Sequence, residues 1–296
     1  MLQRAFSLSQ VPVWFVLAVY CSLMWLQGAP QALQSVIAQW QIALTMALGS
    51  FVAGGTALGG GAVAFPVMTK LLAIEPATAK VFSLAIQSFG MTAATITILC
   101  RRIPIYTNVV VMALPMAFIG VWLSLHYIAP YAPRLLTKSI FSLLLLCFAV
   151  TLIYRWWRKA HHLPSHINIS PQPLRFMLVA LFGGVASGLV GSGADIAIFA
   201  LLVLVYHADV KRATATSVVI MAFTSVLGSS INAWQLQVID AEIQGYLLAA
   251  IPIVVIGAPL GAYVCARIKV AYLVSFLLAL IALEVLFTLL ELVAQA

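Results

Sequence analysis

The stretch "AGGTALGGGAVAFPVM", Ala53 to Met68, sets the run Gly59-Gly60-Gly61 inside a segment otherwise apolar enough to lie in lipid. Glycine in a helix interior costs about 1 kcal/mol relative to alanine, so three in succession predict that the backbone leaves the helix there. In a bilayer such a break is tolerated only where protein or a water-filled cavity receives the freed backbone groups. This one stretch therefore predicts a membrane helix interrupted near its middle.

The surrounding composition agrees. Of 296 residues, 64% are hydrophobic and 7% charged, which excludes a soluble domain and predicts an all-α polytopic membrane protein. Apolar stretches of spanning length run from Val11 to Leu26, Trp40 to Leu58, Ala79 to Cys100, Ile105 to Ile128 and Leu135 to Tyr154. Beyond these come Leu174 to Val190, Ala213 to Trp234, Tyr246 to Ala266 and Ala271 to Val293. Two shorter ones, Gly60 to Ile74 and Gly193 to Tyr206, each follow a glycine break. Arg4 and the apolar run after it resemble a secretory signal, but the run is long for a signal core, so we read it as a retained first helix.

The net charge of +8 falls in short clusters between apolar segments, which is a topology signal and not a nucleic-acid surface. Cys21, Cys100, Cys147 and Cys265 lack metal or redox spacing and read as buried thiols. The histidines, three of them at His161, His162 and His166, form no ligand set either. No cofactor and no metal is expected.

The only extended polar connector, Arg155 to Pro173, divides the chain into halves of similar length. "GTALGGGAVAF" (Gly55 to Phe65) is similar to "ASGLVGSGADI" (Ala186 to Ile196), with Gly59 and Gly61 matched by Gly191 and Gly193. "LPMAFIG" (Leu114 to Gly120) is matched by "IPIVVIG" (Ile251 to Gly257) in the same order, which predicts an internal duplication. The expected units are an extra N-terminal helix (1–37), a first repeat (38–155), a cytoplasmic connector (156–173) and a second repeat (174–296).

Basic residues decide the relative orientation. If both short segments cross, the inside receives Arg4, Arg101, Arg102, Arg155, Arg158, Lys159, Arg175, Lys211, Arg212, Arg267 and Lys269, and the outside only Lys70, Lys80, Arg134 and Lys138. That is eleven against four; re-entrant segments would give nine against six. The positive-inside rule favours crossing, and five crossings per half make the two repeats inverted, with discontinuous helices. Asp240 and Glu242 then fall outside.

Inverted repeats with broken helices are a transporter architecture whose substrates bind near the midplane. A helix N-terminus offers partial positive charge and free N–H groups, so Gly59, Gly60 and Gly61 with Gly191, Ser192 and Gly193 are the candidate substrate-binding breaks for a small anion. The competing reading is that these glycines only permit close helix packing. Gln87, Ser83 and its repeat counterpart Ser217 add hydrogen-bonding groups without charge, and Gln87 is the foremost of them. Ser88, Thr92, Thr224 and Ser225 read as helix-to-helix hydrogen bonds.

Asp195 stands well inside an apolar stretch, where carboxylates mark ion or proton pathways, so it is the candidate for coupling. Its other reading is a plain helix cap. Lys70 and Lys80 snorkel to the outer interface or draw anions inward. Trp156 and Trp157 read as an interfacial anchor. Glu284 has no basic partner in its own segment.

The cluster Gly59-Gly60-Gly61 with Phe65-Pro66, its copy at Gly191-Ser192-Gly193, and "RATATSVVI" (Arg212 to Ile220) resemble the TauE/SafE sulfite exporter family, also called the toluene-sulfonate uptake permeases. The resemblance covers about Trp40 to Glu291 and implies a secondary transporter of sulfite, sulfonates, sulfoacetate or similar anions in the bacterial inner membrane. The second half departs from the pattern, with Ser192 for the middle glycine, Ile198 where the first half has Pro66, and Asp195 opposite Val63. The expected partners are that anion, a coupling proton or sodium ion, membrane lipid and a second copy in a homodimer. A passive anion channel is the first alternative; an intramembrane enzyme lacks any H-E-x-x-H, G-x-S-x-G or paired aspartates to supply its chemistry.

Overall fold

In the computed structural model the described residues are 2–56, 59, 61–157, 172–268 and a subset of 271–286. Every element among them is helical. The chain runs α1 (Leu2–Gln27), α2 (Ala29–Ala38), α3 (Trp40–Gly55), α4 (Gly61–Pro66), α5 (Pro76–Cys100), α6 (Thr107–Leu123) and α7 (Arg134–Trp157). It continues as α8 (Pro173–Val190), α9 (Ala194–Ala200), α10 (Val210–Ser230) and α11 (Ala241–Arg267). Four helices widen into π-helical turns: α4 at Val67–Leu71, α6 at Ser124–Ile128, α9 at Leu201–Val205 and α10 at Ile231–Gln235.

Hydropathy sets where these helices lie, and local chemistry sets where they stop. Pro76 and Pro173 open α5 and α8, where a missing N–H costs nothing. Asp209 and Asp240 cap α10 and α11 by accepting from the amides of Arg212 (2.9 Å) and Ile243 (2.8 Å). Among the described residues, five helices are long and apolar enough to cross a bilayer: Pro76–Cys100, Thr107–Tyr131, Pro173–Val190, Val210–Gln235 and Ala241–Val264. The chain is a multi-pass membrane protein. α9 with its π-helical turn, Ala194–Val205, reaches only about 18 Å at 1.5 Å per residue, well short of a bilayer core of about 30 Å.

Packing is crosswise between the two parts of the chain. α3 lies along α11, α6 along α8, and α5 against both α10 and α11. The α3–α11 and α6–α8 seams are made by small residues. A side chain added at Gly54 would strike the carbonyl of Ala258, one at Gly261 that of Phe51, one at Gly184 that of Ala117 and one at Gly120 that of Leu181. Close backbone approach of this kind is how helices associate in lipid, where burial supplies little drive. α9 turns back along α8, with Gly183 facing Ala194 and Ala197.

Backbone irregularities recur along the chain. Gly59 and Gly191 have φ of 66° and 86°, Ala73 and His207 of 54° and 50°, Arg102 and Gln237 of 53° and 50°. The wide-turn bonds recur too: Ile74 N–H donates to Met68 O (2.8 Å) and Ala208 N–H to Leu202 O (2.9 Å).

One end of the bundle is basic. Arg212 at the start of α10 donates to the carbonyl of Ile105 (3.1 Å) and stacks its guanidinium 4.0 Å from the Tyr106 ring. At the same end Arg101, just past α5, and Arg267, closing α11, share the Tyr263 ring at 4.9 and 3.9 Å.

The N-terminal helix is docked, not free. Tyr20 donates to the carbonyl of Pro252 (2.8 Å), and Leu23 is buried. The short α2 that follows it was not legible as a separate element. Three cysteines differ from expectation, Cys21 and Cys147 pointing outward and Cys100 half-buried, because a thiol is apolar enough to face lipid; the Cys265 side chain lies outside the described residues. The connector 158–171 and Glu284 lie outside the described residues, as do the side chains of Trp156 and Trp157. Of the last apolar stretch, Val274, Leu278, Ile281 and Val285 face the core at helical spacing.

Candidate functional site

The two glycine breaks meet on one side chain, Gln87, which stands in the middle of α5. Gly191 ends α8 in the left-handed conformation that a side chain disfavours, its N–H donating to Ser187 O at 2.8 Å. The Gly191 carbonyl then accepts from Gln87 Nε2 at 3.1 Å. One turn earlier on α5, Ser83 Oγ accepts from the same Nε2 at 2.6 Å. A carbonyl can only accept, so this bond fixes which end of the amide faces Gly191.

Gln87 Oε1 therefore faces the other way, toward the first break. A methyl group added at Gly59 would stand 3.0 Å from that oxygen and 2.7 Å from Met221 Sδ on α10. One added at Gly191 would stand 3.0 Å from Ser83 Oγ. Gln87 is 2% exposed, and its Oε1 accepts no hydrogen bond among the described residues. Buried polar atoms are nearly always satisfied, so an orphan at the junction of two breaks is a feature to explain.

The second break is internally wired. Asp195 is 2% exposed, and its Oδ1 accepts from the Gly193 amide at 2.9 Å. Ser192 Oγ donates to the same carboxylate at 3.3 Å, and the Ala194 amide donates to Ser187 Oγ at 2.9 Å. The amides of Gly193 and Ala194 are thus engaged by the chain's own side chains. A carboxylate there lies where an anion would gain from the helix start, so it stands in for one.

The remaining candidates separate cleanly. Gly61 opens α4, while Gly60 lies outside the described residues. Ser217 is buried but donates to Thr214 O in its own helix (2.9 Å), and Ser88, Thr224 and Ser225 likewise turn back to carbonyls of their own helices. These four are helix-internal. Met221 was missed by reading for polar groups; its signal is positional, because it follows Ser217 by the four residues that separate Gln87 from Ser83.

Two polar residues of "RATATSVVI" also have a defined place. Thr216 Oγ1 accepts from the Tyr106 amide (2.9 Å) and donates to Arg212 O (2.8 Å), while Arg212 holds Ile105 and Tyr106 as described. They clasp the α5–α6 turn to the start of α10. The family model described as sulfite exporter TauE/SafE matches residues 42–287, which takes in both breaks, Gln87 and this clasp. The chain belongs to the sulfite exporter TauE/SafE family. TauE/SafE proteins are membrane transporters and not enzymes. The TauE/SafE match begins within α3, so α1 and α2 precede it. No curated protein and no solved structure matches the chain.

Proposed function

We propose that this chain is a secondary transporter that moves a small sulfur-containing anion, such as sulfite, a sulfonate or sulfoacetate, across the bacterial inner membrane by coupling to a proton or sodium ion. The observation that carries the reading is the convergence of two glycine breaks, far apart in sequence, on the buried Gln87. The substrate-binding set we propose is Gly59, Gly60, Gly61, Ser83, Gln87, Gly191, Ser192 and Gly193, with Asp195 carrying the coupling ion; Ser217, expected among them, bonds within its own helix and is left out. Ser192 and the Gly193 amide hold the Asp195 carboxylate at the second break, and carboxylates inside membranes mark ion and proton pathways, which supports the coupling role.

The proposed frame is two inverted repeats (38–155 and 174–296) joined by a cytoplasmic connector (156–173), after an extra helix (1–37). Two findings support it. Left-handed residues recur at Gly59 and Gly191, Ala73 and His207, Arg102 and Gln237. Arg101, Ile105, Arg212 and Arg267 gather at one end of the bundle, which favours crossing short segments over re-entrant ones. A homodimer belongs to the proposal on sequence grounds alone.

The test is uptake of labelled sulfite, sulfate, thiosulfate and small sulfonates into proteoliposomes, with and without a proton or sodium gradient. Saturable, gradient-dependent uptake of at least one sulfur anion is expected. If none moves or competes, the substrate reading fails. Uptake without saturation or coupling makes the chain a channel.

A further inference from the structure

The hydrogen-bond inventory at Gln87 restricts what can bind there. A glutamine amide has two N–H hydrogens and one oxygen. Both hydrogens are spent, one on Ser83 Oγ and one on the Gly191 carbonyl. What Gln87 presents toward Gly59 is its Oε1, an acceptor with no donor among the described residues. The group beside it, the Met221 thioether, donates nothing either. Asp195, the nearest ionisable group of the second break, is also an acceptor when charged, and its donors are Ser192 and Gly193 of its own loop.

A fully deprotonated oxyanion placed against this oxygen would set acceptor against acceptor. Resting on the proposed anion site, we infer that the bound species brings its own O–H and donates it to Gln87 Oε1: a monoprotonated oxyacid anion, such as hydrogen sulfite, and not a dianion or an alkyl sulfonate. Gln87 has no N–H left to donate to the anion. Its role is to accept from the cargo, while its Nε2 ties the site to the second break. A site that pairs a substrate hydroxyl discriminates strongly against the analogue lacking it, because the buried partner is then left alone.

The experiment is competition against labelled sulfite in proteoliposomes at one fixed pH and gradient. Hydrogen selenite carries an O–H; methanesulfonate has the same single charge with a methyl group in its place; sulfate is a dianion without the donor. Hydrogen selenite should compete at least about tenfold better than methanesulfonate or sulfate. Gln87→Met, which copies Met221, should bring the three within about twofold of one another while the protein stays monodisperse. Should that variant not fold, the wild-type panel decides alone. Equal competition by methanesulfonate and hydrogen selenite overturns this inference but leaves the transporter reading standing. Unchanged discrimination in folded Gln87→Met also overturns it, and movement of no sulfur anion in the wild type removes both.

Discussion

The first break, between α3 and α4, carries no charge and meets a thioether and an amide oxygen, whereas the second, between α8 and α9, closes three residues around a carboxylate. Gly59 and Gly191 share a left-handed backbone, yet only the second break spends the amides of Gly193 and Ala194 on Asp195 and Ser187. At the second break, where an anion is built into the chain, the amides of Gly193 and Ala194 are already satisfied. The difference follows from Asp195 standing where the first half has Val63, with Ser192 and Gly193 as the donors to its carboxylate.

The largest expected effect removes that difference. Asp195→Asn keeps the shape and abolishes the titratable group, so gradient-driven accumulation of the anion should fall at least about tenfold while downhill exchange persists. Accumulation equal to wild type would reduce Asp195 to a cap of α9. Asp195→Val goes further by making the second break like the first, and it also loses the bonds to Gly193 and Ser192. A lost cap is worth about 0.5–2 kcal/mol, so thermal unfolding in detergent should shift down by several degrees for valine and less for asparagine.

The breaks should also differ in what rescues them. Gly59→Ala and Gly191→Ala each force a side chain into the left-handed region, at about 1–2 kcal/mol. Gly59→Ala additionally meets the flexible end of Met221, so Met221→Ala should recover part of its lost thermal stability. The same Met221→Ala should leave Gly191→Ala unimproved, because the neighbour there is Ser83. The smallest effects distinguish the two serines at matched positions. Ser83→Ala withdraws an acceptor from Gln87 and should lower uptake severalfold; Ser217→Ala loses only a bond to its own helix and should stay within twofold.

The helices were legible because a bilayer demands apolar runs of fixed length: Ile105 to Ile128 and Ala213 to Trp234 appear as α6 and α10 with their π-helical turns. The π-helical turns themselves were not, since one residue of extra winding leaves no mark on hydropathy. Within the site, glycine runs and a lone aspartate announce themselves by being expensive in lipid. Partners do not: the bond from Gln87 to Gly191 joins residues with no periodic relation, and Met221 looks like any core methionine. The orientation of the Gln87 amide depends on a carbonyl that only the folded chain delivers.

The seams of Gly54 with Ala258 and Gly184 with Ala117 have a mechanical consequence. Backbone rests on backbone there, with no layer of side chains whose rotamers could slip. α3 with α11 and α6 with α8 are then struts, each bridging the two parts of the chain. Gln87, bonded to Gly191 and facing Gly59, lies on α5 between these two seams.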